Sequence, residues 1–196
     1  NTEQMERLAL TFDPKVIERT ANTAISRLEA LQNADGGFAW GDWTRYSSEW
    51  ATSSVLSSLG RLNRLGYYPA DNSRLDRIID KAFTYIESRI TGEESASSYA
   101  YLYSLYPGRK AGSIKVQKLS DRAVQQAVAG WKKYSTSEKV RAALMLHNLG
   151  NSAVASEIMR SVAQFAVADG KQGISFPSVS YVDAYASILE AFATID

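Results

Sequence analysis

Apolar residues recur every three or four positions along most of the chain, and this spacing limits the fold more than any other feature. In the first such segment, one stripe with a 3.6-residue period is formed by Ile17, Ala21, Ala24, Leu28 and Leu31. No segment alternates persistently between apolar and polar residues, as a half-buried β-strand would. The spacing therefore predicts an all-α chain.

Capping residues and glycine stops divide this pattern into eight helices. Asp13 and Pro14 begin the first, because Asp accepts hydrogen bonds from orphan amides and Pro already has a helical φ angle. The expected helices cover residues 14–32, 47–65, 73–90, 95–105, 120–131, 137–149, 152–167 and 182–195. Residues 109–118 are polar and basic without a period, so we expect a loop there.

A loose internal repeat joins the two ends of the chain. Residues 34–40, with the sequence ADGGFAW, recur as ADG at 168–170 and GISF at 173–176. A helix follows each copy, and residues 51–59 match residues 184–192 at the small and apolar positions. Short connections imply antiparallel neighbours, so we expect stacked αα-hairpins. The helix count alone leaves a bundle, a solenoid and a closed ring open.

Composition excludes several classes of function. There are 22 Lys and Arg residues against 21 Asp and Glu residues, so no large positive field attracts nucleic acid. The absence of Cys excludes thiolate nucleophiles and Cys-ligated zinc, and the single histidine, His147, has no second His to complete a metal set. No cofactor or metal is therefore predicted. Apolar runs are also shorter than the ~20 residues of a membrane-spanning helix.

We expect residues 1–196 to form one domain, and we expect this domain to be a fragment of a larger protein. The length is ordinary for one domain. The chain begins at Asn1 with neither an initiator Met nor a signal segment.

Aromatic residues cluster around the first glycine turn and before the last helix. A possible binding surface consists of Phe38, Trp40, Trp43, Trp50 and Tyr181, because aromatic side chains offer large contact areas at low entropic cost. The alternative is that these side chains fill the end of a helical barrel.

Four carboxylates lie in or beside the same segments: Asp35, Asp42, Glu49 and Asp183. Paired carboxylates beside Trp and Tyr are what a glycosidase or polysaccharide lyase needs for acid and base catalysis. Asp-Gly is also a turn signal, however, in which Asp hydrogen-bonds its own backbone. Asp35 therefore has a structural alternative.

Residues 31–69, LQNADGGFAWGDWTRYSSEWATSSVLSSLGRLNRLGYYP, resemble the thioester-domain region of bacterial alpha-2-macroglobulin family proteins. In that region a Leu-Gln turn with Asp-Gly-Gly-Phe and tryptophans precedes a Trp-, Ser- and Ala-rich helix that ends in Gly-Tyr and Pro. Residues 181–192 are similar to the last helix of the same domain. The resemblance implies an α/α toroid, and the length of this chain implies a partial or compact ring.

The chain departs from the family at the thioester itself. Members that trap proteases covalently use Cys-x-Glu-Gln, whereas the nearest counterpart here is Asn1-Thr2-Glu3-Gln4. Because an acyl-thioester requires a sulfur, none can form in this chain. Any inhibitory role would then rest on steric trapping or on interactions of the intact protein.

The resemblance implies a non-catalytic domain of a large envelope protein that acts as a protease trap or protein-interaction module. It also implies an exported location, periplasmic or envelope-anchored. The expected partners are neighbouring domains of the same polypeptide and proteases. The alternative from a different class is a carbohydrate-active enzyme, a glycoside hydrolase or polysaccharide lyase, on an α/α toroid scaffold that uses the four carboxylates.

Overall fold

The computed structural model describes residues 13–41, 44–66, 72–109, 112–168, 170, 173–176, 179–180 and 182–195. These residues are mostly helical, with eight α-helices and two hairpins of two-residue strands. The all-α prediction is confirmed. The chain divides into two compact units, of which the first ends at Arg89 and the second begins at Ile90. The toroid and the single domain stay predictions.

The first unit contains three described helices and one short hairpin. The helices are α1 (Pro14–Leu31), α2 (Glu49–Arg64) and α3 (Ser73–Ser88). Strands β1 (Phe38–Ala39) and β2 (Ser47–Ser48) pair antiparallel, with Phe38 opposite Ser48. Helix α2 packs against α3 and β1, and α1 packs against α3. The core lies on α3, where seven side chains are buried.

The second unit is built around its third helix. Its helices are α4 (Glu93–Ser104), α5 (Ile114–Gly130), α6 (Thr136–Asn148), α7 (Ser152–Ala163) and α8 (Val182–Thr194). A 3₁₀ turn (Trp131–Lys133) follows α5, and strands β3 (Val167–Ala168) and β4 (Ile174–Ser175) pair antiparallel. Helix α6 contacts all four other helices, most extensively α7. Its side chains from Val140 to Leu146 are buried except Arg141, so α6 forms the core of the unit.

Helix ends follow local chemistry. The carboxylate of Asp13 accepts a hydrogen bond from the Lys15 amide at 2.9 Å, and Pro14 occupies the first helical position, as predicted. Gly66 and Gly150 follow α2 and α6 with φ angles of 77° and 87°. Only glycine adopts this left-handed conformation without steric cost, which explains why both helices end there.

The expected apolar stripe of α1 is largely exposed. Ile17 and Leu31 are about half exposed, and Ile25, which lies off the stripe, is the buried residue of this helix. Helix α1 packs against one helix, α3, so most of its surface has no cover within the described part of this unit. Spacing correctly indicated a helix here and did not indicate which face is buried.

The predicted loop at 109–118 is wrong in its second half. Helix α5 begins at Ile114, six residues before the predicted start, because the hydroxyl of Ser113 accepts a hydrogen bond from the Val116 amide at 3.2 Å. Val116 is buried and anchors this first turn. Helix α7 is shorter than expected, because Val167 and Ala168 pair with β4 instead of continuing the helix.

Candidate functional site

Two tryptophans meet on the surface of the first unit. Trp40 follows β1 and Trp50 lies in the first turn of α2, and their ring centroids are 4.2 Å apart at an interplanar angle of 64°. Pairing of β1 with β2 brings the two positions together across the hairpin. The side chains are 57% and 59% exposed, although large aromatic side chains are usually buried. We call these two side chains the tryptophan pair.

Other residues of the expected binding surface have different positions. Phe38 is buried, and its amide donates a hydrogen bond to Thr52 Oγ1 at 2.9 Å. It therefore belongs to the core of the first unit and not to the exposed surface. Trp43 and Tyr181 lie outside the described residues.

Asp35 anchors the turn before β1. Its carboxylate accepts hydrogen bonds from Ser47 Oγ at 2.6 Å and from the Gly37 amide at 3.1 Å. Asn33 Nδ2 donates to Ser47 Oγ, and Tyr85 Oη donates to the Ser47 carbonyl, each at 2.9 Å. These contacts tie the glycine turn to β2 and to α3. We call this set of contacts the Asp35 network.

The network also sets the charge of Asp35. The hydrogen bond from the Ser47 hydroxyl is the main reason that the pKa of Asp35 lies below its ordinary value, with smaller contributions from the Gly37 amide and the Arg89 charge. A general acid working near neutral pH needs a raised pKa. The environment of Asp35 acts in the opposite direction and suits a carboxylate that holds a turn.

Of the other predicted carboxylates, the structure describes the side chain of Glu49. Glu49 is exposed in the first turn of α2, where a negative charge interacts favourably with the helix dipole. The hydrogen bonds to the Asp35 carboxylate come from Ser47 and Gly37, so Glu49 and Asp35 do not form a hydrogen-bonded carboxylate pair. Asp42 and the side chain of Asp183 lie outside the described part of the chain.

Sequence reasoning missed a buried lysine in the second unit. Lys139, on α6, is only 6% exposed, and its Nζ donates a hydrogen bond to Ser161 Oγ at 3.1 Å. A signal for its burial was present, because Lys139 precedes Ala142, Ala143 and Leu146 by three, four and seven positions. These spacings place it on the buried stripe of α6.

Two other kinds of site, a metal site and a membrane span, are absent from the described ranges. These ranges contain no group of three His, Asp or Glu side chains that could hold a metal ion. They also contain no helix with the length and hydropathy needed to cross a bilayer. The Nδ1 atom of His147 is buried without a hydrogen-bond partner among the described residues.

Comparison with known proteins adds no assignment to this geometry. No family model, no curated protein and no solved structure matches the chain.

Proposed function

We propose that the chain is a non-catalytic helical domain of a larger alpha-2-macroglobulin-like envelope protein, and that it binds protein partners through the tryptophan pair. The resemblance of residues 31–69 and 181–192 supports the family. The single observation that carries the interaction role is the exposure of Trp40 and Trp50 side by side. Proteases and neighbouring domains of the same polypeptide are the proposed partners, and the proposed location is the periplasm or the envelope.

The geometry of the pair favours a protein partner over a sugar. In a T-shaped pair the edge of one ring covers one face of the other, which leaves less open ring face for stacking of a sugar. Tryptophan is also enriched among the residues that dominate the affinity of protein interfaces. Because β1, β2 and α2 hold the two side chains together, little side-chain entropy remains to be lost on binding.

The proposed trap works without a covalent bond. The chain contains no Cys, so capture of a protease depends on steric enclosure by the whole protein and on contacts such as those of the tryptophan pair. Steric enclosure blocks access of large substrates to the protease and leaves access of small peptides intact. This difference separates a trap from an inhibitor that fills the catalytic cleft.

The first test is the size of the native polypeptide. Antibody raised against this chain is used to immunoblot fractionated cells of the source organism, lysed under protease inhibitors. We expect a band several times larger than 21.6 kDa in the envelope fraction. A single band near 21.6 kDa in a soluble fraction would overturn the proposal.

The second test uses the full native protein and an active protease. We expect the complex to lose activity on a protein substrate and to retain it on a small peptide substrate. Replacing both Trp40 and Trp50 with Ala should weaken protease binding at least fivefold, because truncating an aromatic anchor typically costs more than 1 kcal/mol. The control is Leu65→Ala, which removes a somewhat more exposed apolar side chain elsewhere in the first unit. Equal binding by all three proteins would exclude the tryptophan pair as the contact surface.

A further inference from the structure

The second unit contains a lysine whose charge is only partly satisfied. The Nζ atom of Lys139 lies 5.7 Å from the Trp131 ring centroid and 5.1 Å from that of Phe165, and Ser161 Oγ accepts its hydrogen bond. No described carboxylate lies within 4.0 Å of this ammonium, the ion-pair distance. An ammonium carries three donors, and burial of a charge is costly unless it is paired. Two donors of Lys139 therefore lack an acceptor among the described residues.

A cavity of about 410 Å³ opens beside this ammonium. Three cationic side chains, Lys132, Lys139 and Arg160, and one carboxylate, Glu157, line it together with Trp131 and Ser161. The volume falls in the range of small-molecule pockets, but the cavity is a shallow depression that is more open to solvent than enclosed. The lining therefore combines an excess of positive charge, a hydroxyl and the small exposed part of the Trp131 ring, which is 7% exposed.

We propose that this cavity binds a small organic oxyanion, a carboxylate or phosphate attached to a planar apolar group. Lys139 and Ser161 contact the oxyanion, and Arg160 supplies further donors from α7, where its Nε already bonds the Ser156 carbonyl at 3.4 Å. Guanidinium and ammonium donors to an oxyanion form charge-assisted hydrogen bonds, which are stronger than neutral ones. The ring of Trp131 contacts the apolar part of the ligand. This inference is independent of the proposed function, because it involves only residues of the second unit.

The charge of Glu157 limits the affinity of the cavity. A carboxylate in the lining repels a bound oxyanion, so its removal should tighten binding while removal of a cation weakens it. General electrostatic attraction by the protein surface would give effects of the same signs, so specific binding is shown only by effects that are larger inside the lining than outside it.

The test titrates the full chain with benzoate, phenyl phosphate and inorganic phosphate, followed by calorimetry and by the NMR signal of the Trp131 indole N–H, assigned with Trp131→Phe. We expect benzoate or phenyl phosphate to bind more tightly than inorganic phosphate, which lacks a ring. The better of the two aromatic probes identifies the anion as a carboxylate or a phosphate. Failure of both aromatic probes to bind at millimolar concentration would overturn the proposal.

Matched variants then locate the site. Lys139→Met should weaken binding of the better probe at least tenfold, and Arg160→Gln should weaken it about threefold, because solvent screens an ion pair at an exposed position. Glu157→Gln should tighten it. The control is Lys133→Met, which removes one positive charge from an exposed residue outside the cavity lining and should change affinity less than twofold. Equal weakening by Lys133→Met and Arg160→Gln would show that the anions bind by general charge alone and overturn the proposal.

Discussion

At the scale of single residues, Asp35 is the side chain whose role the structure defines most closely. Its carboxylate accepts one hydrogen bond from the Gly37 amide in its own turn and one from Ser47 Oγ in β2, and the residue is exposed. We predict that Asp35→Ala lowers the free energy of unfolding by about 0.5–1 kcal/mol at pH 7, below the roughly 1.5–3 kcal/mol of a buried charged acceptor because solvent screens Asp35. Urea denaturation measures this change. An unchanged midpoint would show that solvent replaces both hydrogen bonds without loss.

The stabilisation by Asp35 depends on pH. Because its pKa is lowered in the folded chain, mainly by the Ser47 hydroxyl, the stabilisation is complete above the ordinary value of 3.8. It is lost as the pH falls through the lower folded value. We therefore predict that the stability gap between the wild type and Ser47→Ala narrows below pH 3.8 to the part that comes from the pH-independent hydrogen bond between Asn33 Nδ2 and Ser47 Oγ. The control is Ser58→Ala, an exposed serine on α2, whose effect should not change over this range.

Substitution of two glycines distinguishes the cost of backbone strain from the cost of a steric clash. Gly36 and Gly66 both have positive φ angles, of 88° and 77°. A Cβ atom on Gly36 would collide with the carbonyl of Lys81, whereas none of the described atoms lies within 4 Å of a Cβ on Gly66. We predict that Gly66→Ala costs about 1 kcal/mol for the left-handed conformation alone, and that Gly36→Ala costs at least twice as much. Thermal unfolding of both variants measures the difference, and equal costs would contradict the close approach to Lys81.

At the scale of helices and strands, the sequence predicted what local chemistry controls. Asp13 marks a helix start because its side chain accepts a hydrogen bond from a free backbone amide. Gly66 and Gly150 mark helix ends because they adopt the left-handed conformation. The start of α5 at Ser113 was missed because the basic and polar residues of 109–118 indicated a loop, although the first turn of the helix contains the apolar Ile114 and Val116. The exposed stripe of α1 could not be predicted, because burial depends on which element packs against it.

Helix α6 offers the clearest test of a single cap. Ser135 Oγ accepts from the Glu138 amide, and Glu138 Oε2 accepts from the Ser135 amide and hydroxyl at 2.8 and 2.7 Å. These bonds, the hydroxyl first, hold the pKa of Glu138 below its ordinary value. We predict that Ser135→Ala lowers the free energy of unfolding by about 1 kcal/mol. The matched control is Asn151→Ala, because Asn151 occupies the same position before α7 and makes no capping hydrogen bond.

That comparison is made by urea denaturation at pH 7. Asn151→Ala should change stability by less than about 0.5 kcal/mol, the usual range for surface substitutions. If Asn151→Ala and Ser135→Ala lowered the free energy of unfolding equally, the hydrogen bonds of the Ser135–Glu138 capping box would contribute no stability of their own.

At the scale of the whole molecule, each unit contains one copy of the internal repeat. An equivalent hydrogen bond occurs within each copy. The amide of buried Phe38 donates to Thr52, and the amide of buried Phe176 donates to Tyr185 Oη at 3.3 Å. Thr52 and Tyr185 are each the fourth residue of the helix that follows. The sequence repeat aligned these positions, but it did not predict the hydrogen bonds. It did not predict which aromatic residues are exposed, because Phe38 and Trp40 lie in the same run and only packing separates them.

These two equivalent hydrogen bonds give a test of whether the two units open separately. We predict that Thr52→Val, which preserves side-chain shape, increases hydrogen exchange at the Phe38 amide about tenfold or more, because a buried donor loses its acceptor at a cost of roughly 1–3 kcal/mol. Exchange at the Phe176 amide should not change, since its acceptor lies within the second unit. Tyr185→Phe should produce the reverse pattern. If either substitution accelerated exchange at both amides equally, the two compact units would open together. They would then form one cooperative folding unit.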